Sequence, residues 1–164
     1  MRWKTAIIAL LCLVSAAGCA SAAHSAADHV EADVRFSQDM ITHHRQTIQL
    51  AELAADRGGG AYVRELSKKL IPAEQADIET MSAWLRSWQV PVSSEPAVKP
   101  GAELRAGAGF DRRWLTELSG HLEHGVQMAE VVQAAGKHGP TLELAGRIIT
   151  EQRAELADIA KHLA

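Results

Sequence analysis

The sequence predicts an all-α fold: a four-helix bundle made of two duplicated αα-hairpins, with a long linker between helices two and three. Three observations predict it. The chain repeats itself without a gap, because residues 33–86 shifted by 78 positions fall on residues 111–164. Asp33 lands on Asp111, Arg35 on Arg113, His43 on His121, Gln49 on Gln127 and Glu65-Leu66 on Glu143-Leu144. A register that never slips marks one structural unit used twice. Apolar residues also recur at helical spacing in four segments, and no alternating strand pattern competes. Finally, the breaks between segments are short, long and short, which pairs the helices into two hairpins.

The ends of the chain come first. Arg2 and Lys4 precede an apolar stretch from Thr5 to Ala17, too short to span a bilayer, so residues 1–18 read as a secretory signal. Ala16-Ala17-Gly18 leads into Cys19 in the manner of a lipobox, with Ala16 in place of the usual Leu or Val. Cys19 is therefore expected to be the lipidated first mature residue; plain signal cleavage near Ala20–Ala23 is the alternative. Residues 19–29, rich in Ala, Ser and His, read as a tether. With Cys12 removed and Cys19 acylated, the mature domain has no thiol to pair. Of 17 basic and 20 acidic residues, 15 and 20 remain once Arg2 and Lys4 leave with the signal. No basic patch is present, which excludes nucleic acid as a partner.

The folded domain is expected over 30–164. Its first helical segment runs from about Val30 to Asp56, where Val34, Ile41, Ile48 and Ala55 recur every seven residues. Arg57-Gly58-Gly59-Gly60 stops it and reverses the chain. The second segment, about Ala61 to Trp88, carries Leu66, Leu70, Met81, Trp84 and Leu85 on one face, and Pro72 is expected to kink or split it. Hairpin one is thus 30–88. Residues 89–109, with three prolines and three glycines, hold no period and form the linker. Hairpin two, 110–164, has a third segment from Phe110 to Ala135, a turn at Gly136–Thr141, and a fourth segment marked by Leu144, Ile148, Leu156, Ile159 and Leu163. About 130 folded residues suffice for one core and no more.

Polar side chains then fall where a bundle wants apolar ones. His44 lies three residues after Ile41 and four before Ile48, on the core face, and His43 lies at its edge. Asp39 is one turn before His43, and Glu117 repeats that relation with His121. Leu122 replaces His44 in the second copy, while His124 appears one turn after His121. On the partner segments Asp77 interrupts an apolar stripe and Glu74 sits nearby; Gln152 and Glu155 are their counterparts. A carboxylate facing a core is costly unless it meets a donor, a cation or a metal.

Two explanations stand. Imidazoles and carboxylates converging inside a bundle can bind a transition metal, and Met40, Met81 or Met128 would add thioethers that favour copper, above all Cu(I). Alternatively, the same groups form a buried hydrogen-bond network that fixes helix register. Single residues carry simpler readings: Met81 as core filling, His138 as a turn residue, His162 as a solvated residue near a helix end, His24 and His29 as part of the tether, and Trp84, Trp88 and Trp114 as packing. The Glu-x-x-His pair of di-iron carboxylate bundles is absent, which weighs against an oxidase, and no nucleophile elbow, phosphate loop or zincin motif occurs.

These residues resemble a known family. Asp33-x-x-Phe36-x-x-x-Met40-Ile41-x-His43-His44, Leu50-Ala51 and Ile71-x-x-x-x-x-Asp77-Ile78-x-x-Met81-x-x-Trp84-Leu85 are similar to the bacterial family catalogued as domain of unknown function 305. Phe110-Asp111, His121, Met128-Ala129 and Ile148-Ile149-x-x-Gln152-x-x-Glu155-Leu156 look like a second copy of the same motif. The resemblance implies a ferritin-like bundle, export or lipid anchoring, and a copper-binding role like that of some similar periplasmic proteins. It implies a ligand set of Met40, His43, His44 and Asp77 in the first hairpin. His121 and Glu155 are what the second hairpin keeps, beside His124. The expectation is therefore an exported envelope protein that buffers or delivers a metal, copper first and Zn or Fe as alternatives. The candidate ligands are His43, His44, Met40, Asp39, Asp77, His121, His124 and Glu155. The expected partners are the metal ion, the membrane through Cys19, and a second copy in a possible homodimer. A metal-free helical interaction module is the other reading.

Overall fold

The computed structural model describes residues 29–92 and 100–164. The expected signal, Cys19, His24 and all of the tether but His29 lie outside the described residues. The described residues form four helices: α1 (Glu31–Arg57), α2 (Ala61–Ser87), α3 (Phe110–Ala135) and α4 (Gly139–Leu163). Among the described residues there is no strand, and no helix is long and apolar enough to cross a membrane. The fourth helix starts two residues before Thr141, because Pro140 suits a first turn, where a backbone N–H is not needed. Pro72 does not split α2, which runs through it unbroken with the proline on the exposed side.

Helix α1 packs on α2 and α3, and α3 packs on α4. The α1–α3 pairing is antiparallel, and each helix start fastens the other hairpin's turn. Buried Asp33 accepts the backbone N–H groups of Lys137 and His138, at 3.1 and 3.2 Å, and that of Val30 at 2.8 Å. Asp111, its repeat partner, accepts those of Gly59 and Gly60 at 3.0 and 2.7 Å. Each aspartate thus lies at the positive end of the other hairpin's second helix, where a carboxylate is stabilised. The turns need glycine there: a Cβ on Gly60 would come within 2.7 Å of Asp111 Oδ2, and one on Gly136 within 2.5 Å of Asp33 Oδ1.

The linker joins opposite ends of the bundle. Pro91 accepts a hydrogen bond from Gln38 near the start of α1, whereas Leu104 is buried beside Leu50 and accepts one from Arg57 at the end of α1.

Two apolar clusters fill the interior. One gathers Phe36, Met40, Ile41, Ile78, Met81, Leu85, Ala129 and Ile148; the other gathers Leu50, Leu66, Leu70, Trp114, Leu118, Leu122 and Ile159. On α1, α2 and α4 the buried residues between these clusters include His43, His44 and Thr47, Glu74 and Asp77, and Gln152; on α3, His121 lies between Leu118 and Leu122 and stacks on His43. A polar layer therefore lies across the middle of the bundle.

Candidate functional site

The polar layer is built around His43 and His44, which are 1 % exposed each. Because they are adjacent on a helix, their side chains diverge by about 100°. Their surroundings differ accordingly.

His43 points at α3. Its Nε2–H donates to the carbonyl oxygen of His121 at 2.8 Å, and His121 Nε2–H returns the bond to the carbonyl of His43 at 3.1 Å. The two rings stack with centroids 3.8 Å apart. Helical carbonyls three or four turns from an end are normally used by their own helix, so this reciprocal pairing ties the two hairpins together at the repeat's symmetry point. It also fixes the tautomer. With Nε2 protonated, His43 Nδ1 carries a lone pair, and that atom is buried with no hydrogen-bond partner. Burial, followed by the neighbouring His121, lowers the pKa of His43 to about 3, so the ring is neutral. Burial lowers that of His121 as well.

His44 points at α2. Its Nδ1 is 2.6 Å from Glu74 Oε2 and its Nε2 is 3.5 Å from Asp77 Oδ2. Neither oxygen lines up with the ring as a hydrogen bond requires, so these are charge contacts. Burial opposes a charge on His44, but Asp77 and Glu74 outweigh it and raise the pKa to about 9. His44 is therefore an imidazolium at neutral pH, flanked by two carboxylates. Asp77 shares its other oxygen with Arg147 of α4, 2.5 Å away. Burial works against the charge of Asp77, and His44 and Arg147 together hold its pKa below the ordinary carboxylate value.

The second copy fills the equivalent places differently. Leu122 is fully buried apolar core where His44 stands in the first copy. Gln152 is buried, and its Oε1 has no partner. Glu155 pairs with Lys69 of α2 at 3.1 Å, but burial dominates and its pKa is raised. Gly125, a mid-helix glycine, makes the room: a Cβ there would sit 2.5 Å from Gln152 Oε1 and 2.7 Å from His43 Cε1.

Of the expected site residues, the structure gathers His43, His44, Asp77 and His121 in one layer. His124 is exposed, with its ring 5.8 Å from that of His43, and Glu155 closes the layer's outer edge. Met40 is fully buried in the adjoining apolar cluster. Asp39 is exposed and lines a surface groove with Arg35, Phe36 and Met128, and Glu117 is exposed as well; neither carboxylate joins the layer. Glu74, weighed in the sequence but left out of the ligand set, makes the shortest contact to His44. Sequence reasoning passed over Gly125 and Arg147. A glycine inside a helix costs about 1 kcal/mol against alanine, so its presence was the available signal. His138, expected as a plain turn residue, is buried at the start of α4, bonded to Thr141 Oγ1 at 2.8 Å and packed edge-on by Trp84 and Trp88.

The donor set suits a borderline or soft metal ion: a neutral imidazole with a bare nitrogen, a second imidazole, carboxylates and an amide oxygen. A metal-binding histidine characteristically donates its other N–H to a carbonyl or carboxylate, as His43 does. In the present conformation, no three His, Cys, Asp or Glu side chains among the described residues surround a common point. His44 faces its carboxylates with opposite ring edges, so a cation would have to take the place of its protons.

The profile of the family described as "Domain of unknown function (DUF305)" matches residues 33–103 and again residues 100–163, one match per hairpin. The fold is similar to that of CopM in the Cu(II)-bound form, with a TM-score of 0.73 and 23% identity over 80% of this chain and 95% of that one. For CopM in the Cu(I)-bound form the TM-score is 0.71 at 25% identity, over 79% of this chain and 93% of that one. A putative secreted DUF305 protein from Streptomyces coelicolor gives 0.72 at 26% identity, covering 80% of this chain and 90% of that chain. No curated protein matches the sequence.

Proposed function

The chain belongs to the DUF305 family, and from that premise we propose that it is an exported metal-binding protein that holds copper in the cell envelope, for buffering or delivery. The observation that carries this reading is His43 Nδ1: a neutral, buried nitrogen with a lone pair and no partner, its tautomer locked by the His121 carbonyl. A buried acceptor without a donor costs about 1–3 kcal/mol, and a bound cation removes that cost. His43 and His44 are the principal ligands of this reading. Glu74 and Asp77 supply charge, Met40 lies one helical turn before His44, and His121, His124 and Glu155 form a secondary group. CopM, whose fold this chain shares, has been crystallised with Cu(I), Cu(II) and silver. Cys19 as a lipid anchor would hold the domain at the membrane; export without the anchor is the variant of this reading. The reciprocal His43–His121 bonds favour a second reading, a metal-free layer that only sets register.

One titration separates the two. Purified mature domain is titrated with Cu(I), Cu(II) and Zn(II) beside a His43→Ala/His44→Ala variant. The metal reading expects uptake by the wild type that falls at least tenfold in affinity in the variant, the lower bound for losing a metal's supporting shell. Equal uptake by both proteins supports the metal-free layer instead.

A further inference from the structure

Two acids of the layer, Asp77 and Glu155, are each covered by a cation from the opposite hairpin. Arg147 of α4 reaches Asp77 of α2 at 2.5 Å, and Lys69 of α2 reaches Glu155 of α4 at 3.1 Å. The arrangement is itself repeated, since 69 and 147, like 77 and 155, are repeat-related positions. It lies at a seam that is not closely packed: α1–α2, α3–α4 and α1–α3 are the closely packed helix pairs, and α2–α4 is not among them. Within each bridge the acid is inside and the cation outside. The Asp77 and Glu155 side chains are 10% and 12% exposed, whereas those of Arg147 and Lys69 are 46% and 69% exposed.

We propose that Arg147 and Lys69 are displaceable counter-cations that close the α2–α4 seam over the His44 layer, and that an incoming metal cation reaches the layer through this seam by taking Asp77 from Arg147. This rests on the metal-binding reading above. Asp77 is shared: Oδ2 faces His44 and Oδ1 is held by Arg147. At Oδ1 an incoming cation has to compete with the guanidinium. Arginine keeps its charge at any physiological pH, so release is a competition between two cations for one carboxylate. Glu151, 3.2 Å from Arg147 and itself exposed, offers the displaced guanidinium a resting place on its own helix. Lys69 has no such second acidic partner among the described residues, and its acid is further from His44, so it is the weaker of the two covers.

The test is stopped-flow and equilibrium binding of Ag(I) to the mature domain in four forms: wild type, Arg147→Gln, Lys69→Gln and Arg153→Gln. Arg153 lies on the same helix and pairs with Glu130 of α3, so its loss removes the same charge away from the seam. Arg147→Gln is expected to quicken association by about tenfold and Lys69→Gln by less, with Arg153→Gln within about twofold of wild type, as for removal of a charge at and away from a binding cleft. Arg147→Lys, which keeps the charge and loses the fork, should fall between, and it serves if the Gln variant folds poorly. If Arg147→Gln binds no faster than Arg153→Gln, or binds more weakly than wild type, Arg147 is a structural partner of Asp77 and the proposal is overturned. That failure differs from failure of the metal reading, in which wild type and the His43→Ala/His44→Ala variant take up metal alike.

Discussion

At the middle of the first hairpin stand His44, Glu74 and Asp77; at the same places in the second stand Leu122, Gln152 and Glu155. One copy therefore carries an imidazolium between two carboxylates, and the other carries a core leucine, a neutral amide and one acid. Around this difference the fastenings are the same in both copies. Asp33 and Asp111 hold each other's turns, His43 and His121 exchange backbone bonds, and Arg147 and Lys69 cover each other's acids. What the repeat shares joins the two hairpins, and what it does not share, His44 and Glu74, sets the first copy's side of the layer apart.

The strongest way to break that contrast is to make the first copy resemble the second. His44→Leu strands Glu74 in the interior without a cationic partner and is expected to destabilise the fold by about 3–5 kcal/mol, as when a buried pair loses one member. Adding Glu74→Gln, so that both copies read Leu and Gln, should restore most of that loss. Urea denaturation of the two variants checks this, and a double variant no more stable than His44→Leu alone would show that the layer is not a coupled unit.

The pH dependence of stability sharpens it. His44 has a folded pKa of about 9 against an ordinary 6.5, so its contribution is fully present below 6.5 and is lost as pH rises toward 9. That limb amounts to about 3 kcal/mol. His43, lowered to about 3, acts in the opposite sense: its contribution is present above 6.5 and is lost as pH falls. His121 and Asp77 are lowered too and add to the acid limb. Stability measured against pH should therefore peak near neutrality, and the Leu/Gln double variant should lose the alkaline limb while keeping the acid one.

The fastenings should prove alike in kind and unequal in size. Asp33 is fully buried with three backbone donors, whereas Asp111 is partly exposed with two. Asp33→Ala should cost about 2–3 kcal/mol and Asp111→Ala about 1 kcal/mol by thermal or urea unfolding. Two further effects concern the glycines inside α3. Gly125→Ala drives a methyl into Gln152 and His43 and should cost about 1–2 kcal/mol. At Gly120 nothing lies within 4 Å of a new Cβ, and alanine should stabilise by about 0.5–1 kcal/mol. Equal responses at the two positions would mean that Gly125 does not shape the layer.

Much of this architecture was legible in the chain. Helical periodicity and the 78-residue shift defined four helices and two hairpins, because burying one stripe per helix leaves a period that sequence preserves. The same periods placed His44 and Asp77 on core faces. Asp39 and Glu117 misled, since one-turn spacing from a histidine says that two side chains can meet but not that both turn inward. Asp33 and Asp111 were visible as an identity, yet their role was not, because each acts on a turn remote in sequence. The Arg147–Asp77 and Lys69–Glu155 bridges span the two hairpins in the same way, and no local pattern reports such a pairing.

The most direct test follows the imidazole nitrogens themselves. Long-range 1H–15N spectra of the metal-free domain at neutral pH should show His43 protonated at Nε2 alone. One equivalent of Ag(I) or Cu(I) should then move the Nδ1 resonance of His43 and the ring resonances of His44, leaving His162 in place. Metal-dependent shifts confined to exposed histidines such as His162, with His43 and His44 unmoved, would contradict the account.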